Sequence, residues 1–299
     1  MNDRLALAAC LLLSCGCAPA GRPSPNVGSE PLLVGPGVVS TARHENFPSI
    51  DPVDGSLWFS VYEGEAFNRQ TLVRAPRQGS GWGAPTPVIF PADDRWGARA
   101  PRFSADGRTL YFTSNRPRAA GDTRTDMNIW MAERTAGGWS APVVLPAPVN
   151  ADEPDIHAAV GPGGDLYLAS RRPGTLGRSD IFRIPRRGQG WGAAEHLPPP
   201  LNDAQSQSDL WVSPDGSWMI LVVTDHPLGL GGDDLFISRF RDGAWSAPEH
   251  LPAPINSPGY EYGPALSPDG RTLFFNSDRG GSADIYQAPA SVLGMRPRS

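Results

Sequence analysis

Three carboxylates in this sequence, Glu45, Asp155 and Glu261, each stand nine or ten residues ahead of a turn glycine (Gly55, Gly164 and Gly270). Two carboxylates about 5–9.5 Å apart, one with a raised pKa, are what glycoside hydrolysis requires. Counting back in the same way from two further glycines, Gly107 and Gly216, reaches Ala98 and Gln207. Beside these positions lie Asn46, Arg99, His157, Tyr260 and Tyr262. The whole set is acidic, amide-rich and aromatic, a mixture suited to hydrogen bonding with sugar hydroxyls or to capture of a peptide or cation. The candidate ligand-binding residues are therefore Glu45, Asn46, Arg99, Asp155, His157, Gln207, Tyr260, Glu261 and Tyr262. Glu45, Asp155 and Glu261 double as catalytic candidates if the chemistry is hydrolytic.

Other chemistries find less support. His44 and His157 with nearby acids lack the compact spacing of a metal site, and no metal or cofactor is expected. No Gly-x-Ser-x-Gly elbow is present for a nucleophilic triad. All 26 basic residues are arginine, so P-loop, Schiff-base and kinase-type lysines are excluded. A net charge of −5 argues against a nucleic-acid partner. All three cysteines (Cys10, Cys15, Cys17) precede residue 18, so the remaining chain has neither a disulfide nor a thiol nucleophile.

The elements that must position these residues follow from repetition. Glycine (34) and proline (33) together forbid long helices in the 299 residues. Five segments share one motif: 50–60, FSADGRTLYFTSNRP at 103–117, 160–172, 211–226, and LSPDGRTLFFNSDRGG at 266–281. Their glycines, Gly55, Gly107, Gly164, Gly216 and Gly270, are spaced by 52, 57, 52 and 54 residues. A second motif follows each (Asn128-Ile129-Trp130, Asp180-Ile181-Phe182, Asp234-Leu235-Phe236, Asp284-Ile285-Tyr286), with Thr71-Leu72-Val73 as a degenerate copy. A third carries Trp82, Trp139, Trp191 and Trp245 and is missing from the fifth unit.

Four short apolar runs per unit, separated by Asp-Gly turns, predict an all-β fold: a five-bladed β-propeller of four-stranded blades. The stretch PLLVGPGVVS (31–40) resembles an outer strand with no preceding blade, so it is expected to complete the last blade and close the ring. The propeller is expected over 31–290 as one domain, followed by a tail at 291–299. Residues repeated in every unit read as fasteners. Arg116, Arg171 and Arg279 are expected to pair with the recurrent Asp180, Asp234 and Asp284. The tryptophans are expected to pack blades. His196 and His250 share one repeat position, which argues against a unique metal site.

The unit Ser-Pro-Asp-Gly-x-x-Leu-x-Phe-x-Ser-x-Arg followed by Asp-Ile-Tyr resembles the TolB-like "Pro-Asp" propeller repeat over about 45–288, best at 266–286. The resemblance implies a propeller and an envelope location. TolB itself has six blades and an extra N-terminal domain, so its own partner is not implied. At the N-terminus, Arg4 precedes an apolar run, Leu5 to Leu13, too short to span a bilayer. Leu12-Leu13-Ser14-Cys15 resembles a bacterial lipobox, which implies residues 1–14 as a signal peptide and lipid attachment to Cys15. Cys17 fits that pattern less well, and an ordinary leader cut near Ala20 is the alternative. Gly16 after the anchor favours the outer membrane, and residues 15–30 read as a flexible tether.

The expectation is a monomeric, non-catalytic envelope lipoprotein that binds a protein, peptidoglycan or glycan through its axial face. The alternative is a glycoside hydrolase of the five-bladed arabinanase or sucrase type. Regular repeats favour binding, because such hydrolases normally have degenerate blades.

Overall fold

The computed structural model describes residues 30–63, 69–91, 96–123, 126–152 and 155–294. The expected leader, Cys15, Cys17, and all of the tether except Glu30 lie outside them. Five antiparallel sheets form a ring, one per blade, with the first strand of each blade innermost. The inner strands are His44–Ile50, Ala98–Phe103, Asp155–Val160, Ser206–Val212 and Glu261–Leu266. Behind them stand Leu57–Glu63, Thr109–Ser114, Leu166–Ser170, Trp218–Thr224 and Thr272–Ser277. The third strands are Arg69–Ala75, Asn128–Thr135, Asp180–Ile184, Asp233–Arg241 and Asp284–Pro289.

Local chemistry makes each hairpin. Gly107, Gly216 and Gly270 sit at φ of +68°, +69° and +68°, the left-handed region that the turn demands. Around the last of these, the Ser267 hydroxyl donates to Asp269 at 2.5 Å and accepts from the Thr272 N–H at 2.9 Å. Asp269 in turn accepts from the Arg271 N–H at 3.1 Å. Ser104–Asp106 and Ser213–Asp215 repeat the arrangement at 2.7 Å each. These donors hold Asp106 and Asp269 below the usual aspartate range.

The core is five wedges, each made by two neighbouring blades. One joins Tyr167 and Ile181 of blade three to Leu221 and Phe236 of blade four. Others join blades four and five, five and one, one and two, and two and three. The repeated tryptophans seal these wedges, as expected. Trp139 of blade two meets Trp58 of blade one at 5.8 Å, and Trp82 of blade one meets Phe274 of blade five at the same distance. They do so from a short hairpin return rather than from the outer strand. The outer strands follow it and are two residues long: Thr86–Pro87, Val143–Val144, Glu195–His196 and Glu249–His250. Alanine-proline steps after the tryptophan in three of the four copies interrupt the ladder there.

Leu32–Leu33 pairs with Asp284–Pro289 and supplies the fourth strand of blade five, closing the ring as the sequence predicts. The Val34 N–H extends this contact to the Ile285 carbonyl at 2.9 Å. The expected tail begins as packed structure, because Ala290–Leu293 forms a 3-10 turn that buries Leu293.

The repeat fasteners differ from the expected Arg–Asp pairing. Asp180 accepts the Leu176 and Gly177 N–H groups at 2.8 and 3.2 Å and meets His196 Nε2 at 2.6 Å. Asp234 does the same with Leu230, Gly231 and His250. The arginine of blade three is Arg172, two residues after Ser170, whereas Arg171 is exposed. Arg172 and Arg279 pair with Asp155 at 2.9 Å and Glu261 at 3.3 Å. A further fastener recurs at the end of the third motif. Asn150, Asn202 and Asn256 each accept one backbone N–H and donate to two carbonyls within 2.6–2.9 Å, tying the outer strand to the third strand.

Candidate functional site at the propeller axis

All inner strands start at the same end of the ring, opposite the tight glycine hairpins, because second strands return antiparallel to them. Every inner strand also carries a bulge close to that start, between Asn46/Ser49, Arg99/Arg102, Asp155/His157, Gln207/Leu210 and Tyr262/Ala265. A bulge re-aims side chains and is common beside sites. Phe47 and Ala100 adopt φ of +57° and +52° in these bulges, a conformation costing about 1–2 kcal/mol for a residue with Cβ. Side chains of neighbouring blades hold them there. Asn276 Oδ1 accepts the Phe47 N–H at 2.7 Å, and Ser60 Oγ accepts the Ala100 N–H at 3.1 Å.

One polar cluster occupies the axis. His157 Nδ1 of blade three faces Asp209 Oδ1 of blade four, and Asp209 Oδ2 accepts the Gly263 N–H of blade five at 3.2 Å. Arg102 is buried and donates to the carbonyls of Pro48, Pro101 and Pro264 at 3.0, 3.1 and 3.1 Å. The Tyr262 hydroxyl donates to Asn46 Oδ1. Phe47 packs against His157 and Tyr262, with ring centroids 4.6 and 5.7 Å away. Arg99 lies in the electrostatic field of Tyr62, His157 and Asp209. Tyr62, Arg99 and Tyr262 are half-buried, whereas Asn46, Arg102, His157 and Asp209 are buried. The first three therefore form the solvent side of the cluster.

Electrostatics fix the protonation states. Burial holds His157 below its ordinary value, with Arg99 and Arg102 adding to the effect against the pull of Asp209. Burial raises Asp209, but its neighbours His157, Arg102 and Arg99 outweigh that and keep it below the usual aspartate range. Burial pushes Arg102 down to about 10, still charged at neutral pH. Burial, reinforced by nearby Tyr62 and aspartates, pushes the Tyr262 phenol well above its ordinary value, so it remains a donor. The cluster thus presents a neutral imidazole, a phenol, an amide and a guanidinium on an ionised, fully engaged floor. Asn46 Nδ2, Arg99 Nε and His157 Nε2 are buried without a hydrogen-bond partner among the described residues.

Of the residues the sequence singled out, Asn46, Arg99, His157 and Tyr262 meet in this cluster. The others do not. Glu45 accepts from the Thr41 N–H and hydroxyl at 3.1 and 2.6 Å. Glu261 accepts from the Ser257 N–H and hydroxyl at 2.7 and 2.6 Å and from Ser277 Oγ at 2.6 Å. Asp155 takes the Ala151 N–H at 2.7 Å and Arg172 at 2.9 Å. Gln207 donates to Asp203 at 2.6 Å. Each therefore clamps the loop entering its own blade, four residues upstream. Burial raises Glu45 and Asp155 despite these bonds. Tyr260 is 51% exposed, its N–H donating to Asp278 at 2.8 Å. Phe47, Tyr62, Arg102 and Asp209 belong to the site and escaped the sequence reading.

Among the described residues, no group of three or more His, Cys, Asp or Glu could hold a metal ion. No family model matches the chain, and no curated protein matches it. Among solved structures, a glycoside hydrolase superposes with a TM-score of 0.59 at 12% identity, covering 91% of this chain and 93% of its own. An alpha-L-arabinofuranosidase from Lactobacillus brevis gives 0.52 at 16% identity over 83% of this chain and 90% of its own. A protein of unknown function from Dyadobacter fermentans gives 0.51 at 17%, over 88% and 82%. A prolyl endopeptidase matches 79% of this chain at 20% identity with a TM-score of 0.42, and the chain spans 32% of that protein's length. At these identities the likeness is one of fold.

Proposed function

We propose that the protein is a ligand-binding propeller whose site is the axial cluster at the inner-strand starts. One observation carries this reading: the unpartnered polar atoms of Asn46, Arg99 and His157, from three different blades, converge there. Buried polar atoms are paired in nearly all native structures, so such a concentration points to a partner from outside the chain. Position within the fold supports it too, since these residues differ from blade to blade while the fasteners repeat. A binding role is favoured over hydrolysis by Glu45, Asp155 and Glu261, whose oxygens are engaged by their own loops.

The reading is tested by probing arrays of glycans, muropeptides and peptides with wild type, Tyr262→Ala and Asp269→Ala, the last at the opposite end. A signal lost only in Tyr262→Ala is expected. A signal lost only in Asp269→Ala would move the site to the hairpin end. Turnover of an arabinofuranoside or oligosaccharide by wild type would instead establish the hydrolase. The same proposal places the propeller in the bacterial envelope, tethered through lipid on Cys15. Metabolic labelling with a fatty acid should mark wild type and not Cys15→Ser, and label retained by that variant but lost in Cys17→Ser would move the anchor.

A further inference from the structure

The unpartnered atoms have a definite hydrogen-bond character. Arg99 Nε and Asn46 Nδ2 are donors. Asp209 faces Nδ1 of His157, which places the imidazole proton there and leaves Nε2 an acceptor. A complementary ligand must therefore supply acceptors to the first two groups and an O–H or N–H to the third.

The charge at the site narrows this further. Asp209 lies in the field of both Arg102 and His157, and Arg102 already donates to three carbonyls. Arg99 acts on the same carboxylate, and Asp233 stands near both Asp209 and Tyr262. Arg99 nevertheless forms no direct ion pair with a carboxylate among the described residues, although it is half-buried, and its Nε has no partner there. A guanidinium in that position binds a carboxylate by charge-assisted hydrogen bonds. The remaining groups, the Tyr62 and Tyr262 phenols and the Asn46 amide, are neutral and suit hydroxyls. The rings of Tyr62 and Tyr262 offer apolar surface beside them.

We infer that the axial site takes a polyhydroxylated carboxylate of the uronic-acid class, with its carboxylate on Arg99 and its hydroxyls on His157, Asn46 and the two tyrosines. This rests on the axial reading above and specifies its ligand. An acidic sugar could arrive free or as a residue of a glycan; both present the same groups to Arg99.

Calorimetric titration of the full chain tests it with D-galacturonate, D-glucuronate and a galacturonate oligomer against D-galactose, D-glucose and acetate. At least one acid is expected to bind about tenfold or more tightly than its matched hexose, as a charge-assisted contact implies. Arg99→Gln is expected to bring that ratio to about one. Tighter binding of the oligomer than of the monomers would identify a glycan as the source, and the reverse a free sugar acid. Hexose binding equal to that of the acids would overturn the carboxylate assignment, with the axial reading intact if Tyr262→Ala loses the hexose. Acetate binding as tightly as the acids would overturn the hydroxyl half. Absence of saturable heat from every acid up to about 10 mM would overturn the inference outright, a range that includes even millimolar affinities. Wild-type selectivity decides the matter even if Arg99→Gln folds poorly.

Discussion

His157 and Asp209 face one another across the boundary between blades three and four, and the second oxygen of the same carboxylate holds the Gly263 N–H of blade five. Three blades thus meet on one carboxylate. Arg102 ties blades one, two and five through Pro48, Pro101 and Pro264. Between them, the two groups link all five inner strands at the axis, where a ring of wedges would otherwise have no common contact.

That pairing makes stability depend on pH. The unfolded chain protonates His157 near 6.5, whereas the folded chain does so only at a lower value. Between those values the unfolded state binds more protons, so stability falls as pH falls below about 6.5. Asp209, held below 3.8, contributes stability that is complete above its unfolded value and lost as pH falls through its folded one. Both signs run the same way, in successive windows. Urea midpoints measured from pH 7 downward should decline in wild type, and the decline between about pH 6.5 and 5 should be smaller in His157→Gln.

Arg102 should resist replacement by lysine. Its fork reaches three carbonyls that a single ammonium cannot satisfy together. Arg102→Met and Arg102→Lys should each lower unfolding free energy by about 2–4 kcal/mol, because buried acceptors are left unpaired. An unchanged urea midpoint in Arg102→Lys would contradict this.

The asparagine clamps should act blade by blade. Asn202→Ala removes three buried hydrogen bonds and should cost about 2–3 kcal/mol. Asn150→Ala and Asn256→Ala should cost similar amounts, and amide exchange should accelerate first in the outer strand of the altered blade.

The loops at the axial end are packed against each other through glycine. A Cβ on Gly231 would lie 1.7 Å from the Gly259 carbonyl oxygen, and one on Gly177 would lie 1.8 Å from that of Gln205. Gly231→Ala should therefore displace the loop between blades four and five and cost about 1–3 kcal/mol, as overpacking does. Gly281→Ala, which meets nothing within 4 Å but has a φ of +98°, should cost about 1 kcal/mol through backbone strain alone. Thermal melts of the two variants would show the difference.

The repeat made the ring legible: Asp-Gly turns, recurrent tryptophans and an orphan outer strand were sufficient for five blades and their closure. The axis was only half legible. Counting back from each glycine reached Glu45, Asp155, Gln207 and Glu261, but these turn to their own loops. A bulge close behind them shifts the inward-facing positions, and strict alternation has no means of anticipating it. Two residues further on, the five blades carry Phe47, Ala100, His157, Asp209 and Gly263, five different types at one repeat position. That divergence was the available signal for Asp209. Arg102 carried none, since a guanidinium buried among proline carbonyls has no local pattern.

The seam in blade five has a mechanical meaning. Leu32–Leu33 is held by a two-residue ladder to Asp284–Pro289, with the Val34 N–H just inside it. A pull directed along the chain preceding Leu32 would be borne first by that short ladder, which can open one bond at a time, before any wedge between blades is loaded. The ring would then come apart like a belt at its buckle. Joining the two sides of the seam by a short peptide and cutting instead in an exposed hairpin, between Ala105 and Asp106, should yield a permuted chain that folds to the same ring, with its weak point moved to blade two.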